Sequence, residues 1–494
     1  MLISKRYKTI FRTGLKIVPA IFLLSASASA TSIIQPLEGQ QTAVIQTPKP
    51  VTPPPATPKA ANALTLSWVL RTAYLENLAL NSGRADLLAT QEELPQAQAG
   101  WKPTITADAD VTNTDSDDGT TGDDNNTSKG AGLALTQPIY RGGRTTAQSA
   151  SARHIINARS EILRGQEQDI FESAAIAYMD VLRDEALLEL RRQNQDLQNR
   201  QLKATSDRFE VGELTKTDVS QSQARLAGAE ADVIDAQGNL NSSRAVFEQV
   251  VGLPADALSP PDVKLTLPDR LDDVIQQAEE NSPFVLAALS THQAAEEDID
   301  DVYGELLPQV GFFTTLDKTY DPPSGSDDRT DRSIGIEASV PLYEAGATRS
   351  RVRQAKHTAN SRYLDILDAK RQVREEAVRN WEDLQAARAQ ITSRQSQVDA
   401  SRVAQEGVRQ EAEFGARSVL DALDADQELL DAQVALVVAR RDEVVAQFSL
   451  LASLGLLSPE ILGFGADTID LDGRLNDAER KIFDMDVDRV ANPG

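Results

Sequence analysis

The stretch Gln137-Pro138-Ile139-Tyr140-Arg141-Gly142-Gly143-Arg144 returns later in the chain as Val340-Pro341-Leu342-Tyr343-Glu344-Ala345-Gly346-Ala347. Pro138 and Pro341 stand 203 residues apart. Gly212 and Gly415, Asp218 and Asp421, and Gly252 and Gly455 keep the same spacing. One register held over so long a span marks a tandem duplication of a unit of roughly two hundred residues. In each copy the Pro-Ile/Leu-Tyr stretch joins an alternating, strand-like segment to a long polar helix.

Upstream of Pro138, residues 64–99 carry a helical rhythm, with Leu66, Val69, Leu70, Ala73, Leu75 and Leu78 on one face. Pro103 breaks it. Ile105, Ala107, Ala109 and Val111 then alternate with Thr104, Thr106, Asp108 and Asp110, which predicts a strand with one apolar and one polar face. Residues 113–128 consist almost wholly of Asp, Gly, Asn, Ser and Thr and read as a solvent loop. A second strand follows, with Ala131, Leu133 and Leu135 on one face, and Pro138 is expected to end it. The hairpin spans 103–139.

Downstream, no proline occurs from 143 to 209, and Ile155, Ala158, Ile162, Ile170, Ala174, Ala177 and Val181 mark a seam near the coiled-coil period. A continuous helix of that length would reach about 100 Å, too long for a globular core. Val211-Gly212-Glu213-Leu214-Thr215 reads as a turn, with Thr217 or Asp218 capping a return helix over 218–251. The second copy repeats the order: a helix over 268–303, a hairpin over 308–342, a long helix over 345–414 and a return helix over 419–454. Its strand three sets Val310, Phe312, Thr314 and Leu316 against Gly311, Phe313, Thr315 and Asp317. Its strand four sets Ile334, Ile336, Ala338, Val340 and Leu342 against Gly335, Glu337 and Ser339, after an acidic loop at 317–332. Ala377, Leu384, Ile391 and Val398 recur every seven residues along the second long helix.

The domain plan is therefore a signal peptide (1–30), a Pro-rich linker (31–63), a first structural repeat (64–265), a second (266–465) and an acidic tail (466–494). The leader has Lys5, Arg6, Lys8, Arg12 and Lys16, a short apolar run from Ile17 to Leu24, and small residues before Ala30 that suit cleavage. The run is too short to span a bilayer comfortably. Pro48, Pro50, Pro53, Pro54, Pro55 and Pro58 make the linker extended or disordered.

Composition narrows the function. The chain has 494 residues, 5% aromatics and a formal net charge of −25, which becomes −30 once the five bases of the leader are removed. Such a chain repels nucleic acid and suits a cavity that favours cations. It has no cysteine, hence no disulfide framework, thiolate metal site or lipid-bearing cysteine. His154, His292 and His357 lie far apart in sequence and suggest no metal site. Glu296, Glu297, Asp298, Asp300 and Asp301 read as a solvated face rather than glycosidase carboxylates, and Gly142-Gly143 lacks a phosphate-loop lysine. No catalytic constellation and no cofactor motif is present, so no enzyme is expected.

The strands have the length needed to cross a bilayer when tilted, and Asp108, Asp110 and Glu337 lie on the face that a water-filled lumen would want. Four strands do not close a membrane barrel, and open edges are not tolerated in lipid. Chains must pool strands: two give eight, three give twelve. A pair of water-soluble hairpins capping a helical bundle is the other reading.

Over roughly 64–460 the chain resembles the TolC-like outer-membrane channels of type I secretion and multidrug efflux. The resemblance is carried by Arg208-Phe209-Glu210-Val211-Gly212 with Asp218-Val219, by the run from Phe414-Gly415-Ala416-Arg417 to Asp424-Ala425, and by the two Pro-Ile/Leu-Tyr junctions. It implies a mixed α+β membrane protein. Three protomers would form a 12-stranded outer-membrane β-barrel, four strands from each, continuous with a long α-helical periplasmic barrel. It also implies docking to a periplasmic adaptor and an inner-membrane transporter, ATP-driven (ABC) or proton-driven. By the same resemblance Asp421 and Asp424 form a cation-attracting ring at the periplasmic gate, Asp218 and Arg417 belong to the network closing the tip, and Gly212 and Gly415 mark the turns that meet the adaptor. Without the family, Asp421 is a helix N-cap, Asp424 a first-turn acid, and the two glycines are left-handed C-caps. The sequence departs from the family pattern at Ala412, where an aromatic is expected three residues before the turn glycine. The expected function is a passive, gated export conduit; the alternative is a non-conducting periplasmic coiled-coil scaffold.

Overall fold

The computed structural model describes residues 64–116, 124–261, 265–320 and 327–464. The leader, the linker and the acidic tail lie outside the described residues. In chain order the elements are α1 (Leu66–Glu76), α2 (Leu78–Gln91), α3 (Glu93–Gln98), a 3-10 turn, β1 (Thr104–Ser116), β2 (Asp124–Arg141), α4 (Arg144–Glu210) and α5 (Lys216–Val251). The second repeat supplies α6 (Leu271–Asn281), α7 (Pro283–Gly304), β3 (Gln309–Tyr320), β4 (Arg329–Ser339), α8 (Ala347–Glu413) and α9 (Val419–Ser453). Helices α4 and α8 are each 67 residues long and begin and end 203 residues apart.

The opening helix of each repeat is broken, contrary to the single helices read over 64–99 and 268–303. Asn77 adopts extended backbone, and its side chain accepts from the Ala79 and Leu80 amides, which starts α2 afresh. Ser282 is extended because it precedes Pro283, whose ring excludes helical backbone at that position.

The strands form one antiparallel sheet in the order β1-β2-β3-β4. They run further than the composition suggests. Asn113 pairs with Thr127 and Asp317 with Asp331, so much of what reads as loop at 113–128 and 317–332 is ladder. Backbone pairing is indifferent to those polar side chains while the partner strand continues. Pro138 does not end β2. It pairs with Gly311, the register slips between Pro138 and Tyr140, and the strand continues to Arg141. A bulge beyond the end of β1 is where a strand tolerates a residue without an N–H. Conversely, β4 stops at Ser339, so Val340 and Leu342 lie outside it.

The register stacks like with like. Asp108 pairs with Gly132 and Gly132 with Asp317, while Ala107, Leu133 and Leu316 share the other face. Ile105 is 71% and Ile334 77% exposed, so the apolar face is uncovered in the single chain.

Around the middle of the long helices, α1 and α2 pack on α4. Leu66, Val69, Leu70 and Ala73 meet Phe171, Ala174, Tyr178 and Val181. The Tyr74 and Phe171 rings stack at 5.9 Å, and the Tyr178 hydroxyl donates to the Leu64 carbonyl at 2.9 Å. In the second repeat Val274, Ala278 and Val285 pack on Val373, Ala377 and Leu384. The seam read on α4 is only partly buried: Ala158, Ala174, Ala177 and Val181 are inside, but Ile155 and Ile162 are exposed. The cause is a change of neighbour along the helix. Near the strands α4 packs on α7, through Arg144–Asp301 at 3.1 Å and Ser151–Asp298 at 2.8 Å. Around its middle it meets α9, through Asp180–Arg441 at 2.8 Å, and toward the far end it packs on α5, through Arg191–Asp232 at 3.0 Å. Glu305, just past α7, is held by Arg144 and Arg351, one from each long helix.

Candidate functional site

The far ends of the two helical hairpins carry the residues expected to act. At the first, α4 gives way to Val211 and then to Gly212 at φ +82°, where a side chain would strain the left-handed turn. The Glu213 amide donates to the Arg208 carbonyl at 2.9 Å. At the second, Gly415 takes φ +73° and the Ala416 amide donates to the Glu411 carbonyl at 2.8 Å. Both glycines are thus left-handed helix terminators.

Each return helix starts with a reciprocal capping box. The Thr215 side chain accepts from the Asp218 amide, and the Asp218 carboxylate accepts from the Thr215 amide at 2.8 Å. Ser418 and Asp421 repeat this, with the carboxylate 3.0 Å from the Ser418 amide. The caps are therefore Thr215 and Ser418. Thr217 and Asp218 do not cap the first return helix, and Asp421 does not cap the second; the two aspartates occupy the third helical position. Hydrogen bonds from the Thr215 backbone and then its side chain hold the Asp218 carboxyl below the usual range. Those from the Ser418 side chain and then its backbone do the same for Asp421.

The two turns are clamped by ion pairs of opposite sense. Arg208 at the end of α4 meets Glu213 in the turn at 3.1 Å, whereas Glu411 at the end of α8 meets Arg417 at 3.0 Å. Among the described residues no hydrogen bond or ion pair joins Asp218 to Arg417; each is engaged within its own turn. Asp421 and Asp424 lie one turn apart on α9 and face different partners. Asp424 accepts from Arg225 of α5 at 2.5 Å, the ion pair that links the two return helices near the tips. Sequence reasoning missed Arg225. Its only signal is a position two turns after Asp218, and nothing in the sequence pairs it with a residue of the other repeat. Just above, buried Asp426 accepts from Gln405 at 2.8 Å, and burial raises its carboxyl. Phe209, Val211 and Phe414 project exposed from the turns, Phe414 with 88% of its surface free.

His292 lies against Tyr363 and 3.5 Å from Glu296. Among the described residues no three His, Cys, Asp or Glu side chains are arranged to hold a metal ion, and no helix is long and apolar enough to cross a membrane.

The family model for outer membrane efflux proteins matches this chain twice, over residues 69–253 and 274–456, one match in each repeat. The outer membrane efflux protein BepC of Brucella suis is 32% identical over 82% of this chain and 88% of its own length. The outer membrane protein TolC of Vibrio cholerae is 27% identical over 71% of this chain and 80% of its own. The crystal structure of the Campylobacter jejuni CmeC outer membrane channel superimposes with a TM-score of 0.70 over 86% of this chain and 93% of that one, at 13% identity. With two repeats, four strands, two paired 67-residue helices and these matches, the chain belongs to the outer membrane efflux protein family.

Proposed function

We propose that three copies of this chain close a twelve-stranded barrel in the outer membrane of a Gram-negative bacterium, continuous with a helical shaft in the periplasm. The assembly is an export channel for efflux or type I secretion. The observation that carries the reading is the open sheet. In the single chain β1 and β4 each have one partner, and a sheet with free edges does not persist in lipid. Joining β4 of one protomer to β1 of the next removes every edge. It turns the exposed Ile105, Leu133, Ile334 and Ile336 to lipid and Asp108, Asp110 and Asp317 to water. Each protomer contributes the repeats 64–265 and 266–465.

At the periplasmic end Asp421 and Asp424 from three chains form an acidic ring, and the Asp218 and Arg417 turns brace it. The exposed Phe209 and Phe414 flank Gly212 and Gly415, and these turns receive a periplasmic adaptor. An inner-membrane transporter, ATP-driven or proton-driven, supplies the energy, and the channel catalyses no reaction. Crowded carboxylates around a small opening attract multivalent cations.

The test is planar-bilayer conductance of the purified trimer with hexamminecobalt added on the tip side. A conducting pore is expected, blocked by the cation, with block relieved at least about tenfold in the Asp421→Ala/Asp424→Ala variant. A trimer that never conducts returns the protein to the scaffold reading. A conducting pore whose block is unchanged in the variant removes the ring from Asp421 and Asp424.

A further inference from the structure

Each strand has an exposed aromatic at its helix-side end. Trp101 lies just before β1, Tyr140 near the end of β2, Tyr303 shortly before β3 and Tyr343 shortly after β4. In a chain with only 5% aromatics, that recurrence at one end of the sheet is a pattern. Tyr140 pairs with Val310, on the face that carries Leu133 and Leu316 and meets lipid in the proposed barrel. Tyrosine and tryptophan at the ends of bilayer-crossing elements collect at the headgroup level. Tyr343 is 89% and Leu342 94% exposed, so side chains suited to that level lie uncovered just before α8.

Beyond the aromatics the charge changes sign. Residues 347–364, the start of α8, hold Arg349, Arg351, Arg353, Lys356 and Arg362 and no acid, in a chain of net charge −25. Peptide dipoles make a helix start positive and favour acids there, so α8 is loaded against its own dipole. Arg351 is answered by Glu305 and Arg362 by Asp365. Arg349, Arg353 and Lys356 are exposed and form no ion pair among the described residues. Their spacing of four and three residues puts them on one face, over about 10 Å of helix. The counterpart of Lys356 in the first repeat, 203 residues earlier, is Arg153, also an exposed base.

We propose that this stripe binds headgroups of acidic phospholipids in the periplasmic leaflet of the outer membrane. Arg349, Arg353 and Lys356 reach the phosphates, and Leu342 and Tyr343 lie against the upper acyl chains. The inference rests on the membrane reading of the sheet. Long basic side chains carry their charge toward the headgroups while their stems stay on the helix. A dissolved anion would leave the adjoining apolar residues without a role. A second copy packed on the stripe would bury three cations that nothing on α8 answers.

The test reconstitutes the full-length protein in vesicles of phosphatidylethanolamine with a minor fraction of phosphatidylglycerol, re-extracts it in mild detergent and measures the lipid that stays bound. Retained lipid should be enriched in phosphatidylglycerol at least about threefold over the input, and Arg349→Gln/Arg353→Gln/Lys356→Gln should return it to the input ratio. The same charge change further down α8, Arg371→Gln/Arg394→Gln/Arg402→Gln, should leave the enrichment in place. No enrichment in wild type, or equal enrichment in the stripe variant, overturns the proposal. If wild type shows no enrichment and the stripe variant also loses its heat-resistant trimer, a second copy covers the stripe instead. Protein that alkaline carbonate strips from the vesicles overturns the membrane reading itself; protein that stays inserted but is indifferent to lipid overturns this proposal alone. A second measurement needs no substitution. Acylation of Lys356 by a neutral amine-reactive ester should slow at least about threefold when phosphatidylglycerol is added to phosphatidylcholine bicelles, while exposed Lys216 at the tip reacts as before. An unchanged Lys356 rate overturns the proposal equally.

Discussion

Arg225 reaches from the first return helix to Asp424 on the second across 2.5 Å, so one half of the duplicated chain holds the other at the tip. Both partners are well exposed, and such a pair contributes only about 0–1 kcal/mol to stability. Its importance is positional, because it is made near the free ends of two long helical hairpins, where the gate is proposed. It also occupies one of the two carboxylates assigned to the gate, while Ser418 occupies the other. Arg225→Ala should leave the trimer intact, raise resting conductance severalfold and strengthen block by multivalent cations, since Asp424 is freed. Arg417→Ala opens only a contact inside its own turn, so its rise in conductance should be smaller. Single-channel recording of both variants decides this; a closed, unaltered Arg225→Ala pore would show that the pair does not hold the tips.

Gly142 and Ala345 occupy the same place in the two repeats, and both adopt left-handed backbone, at φ +66° and +52°. Alanine at one of them shows that the angle alone does not demand glycine. The contact differs. A Cβ on Gly142 would sit 2.3 Å from the Gly304 carbonyl oxygen, where the strand-to-helix junction presses on the end of α7. Gly142→Ala is therefore expected to separate the junction from α7 and lower the yield of folded trimer at least about tenfold. Gly143→Ala, with φ +82° and nothing within 4 Å, should cost only about 1–2 kcal/mol. Quantifying heat-resistant trimer on gels compares them; equal losses would refute the close-contact explanation.

Glu167 faces Arg84 and Arg164 but also Glu460, and burial pushes its carboxyl up to about 7. An acid whose folded pKa exceeds its unfolded value of about 4.5 retains a proton in the folded state. Stability should therefore fall as pH rises from about 4.5 to 7 and level off above. Glu167→Gln removes that slope. The variant should match wild type near pH 4.5 and exceed it at about pH 8, by at most on the order of 2–3 kcal/mol. Melting temperatures at the two pH values test this. A variant less stable than wild type at the higher pH would mean that the carboxylate is held by Arg84 and Arg164 rather than opposed by burial.

The long helices were legible because their signals are local and repeated. Proline-free runs ending in Gly212 and Gly415 determine both 67-residue helices to within a residue or two. Strand ends were not legible. Asn113 and Asp317 belong to residue types that favour turns, and only their partners across the ladder keep them extended. The break at Ser282 could have been read from Pro283, whereas Asn77 is a single cap-former in an unbroken apolar rhythm, and its further bond to the Val250 carbonyl joins residues far apart in sequence. The tip glycines were evident from spacing. The Arg225–Asp424 pair was not, because it joins residues 199 positions apart on helices whose mutual approach no periodicity specifies.

The unmatched flanks of β1 and β4 bear on inheritance as well as architecture. Each subunit shares two seams with its neighbours, so a copy that carries a faulty first or last strand damages joints that healthy copies need. Expressed beside a normal gene, such an allele should poison mixed rings rather than merely lower their number.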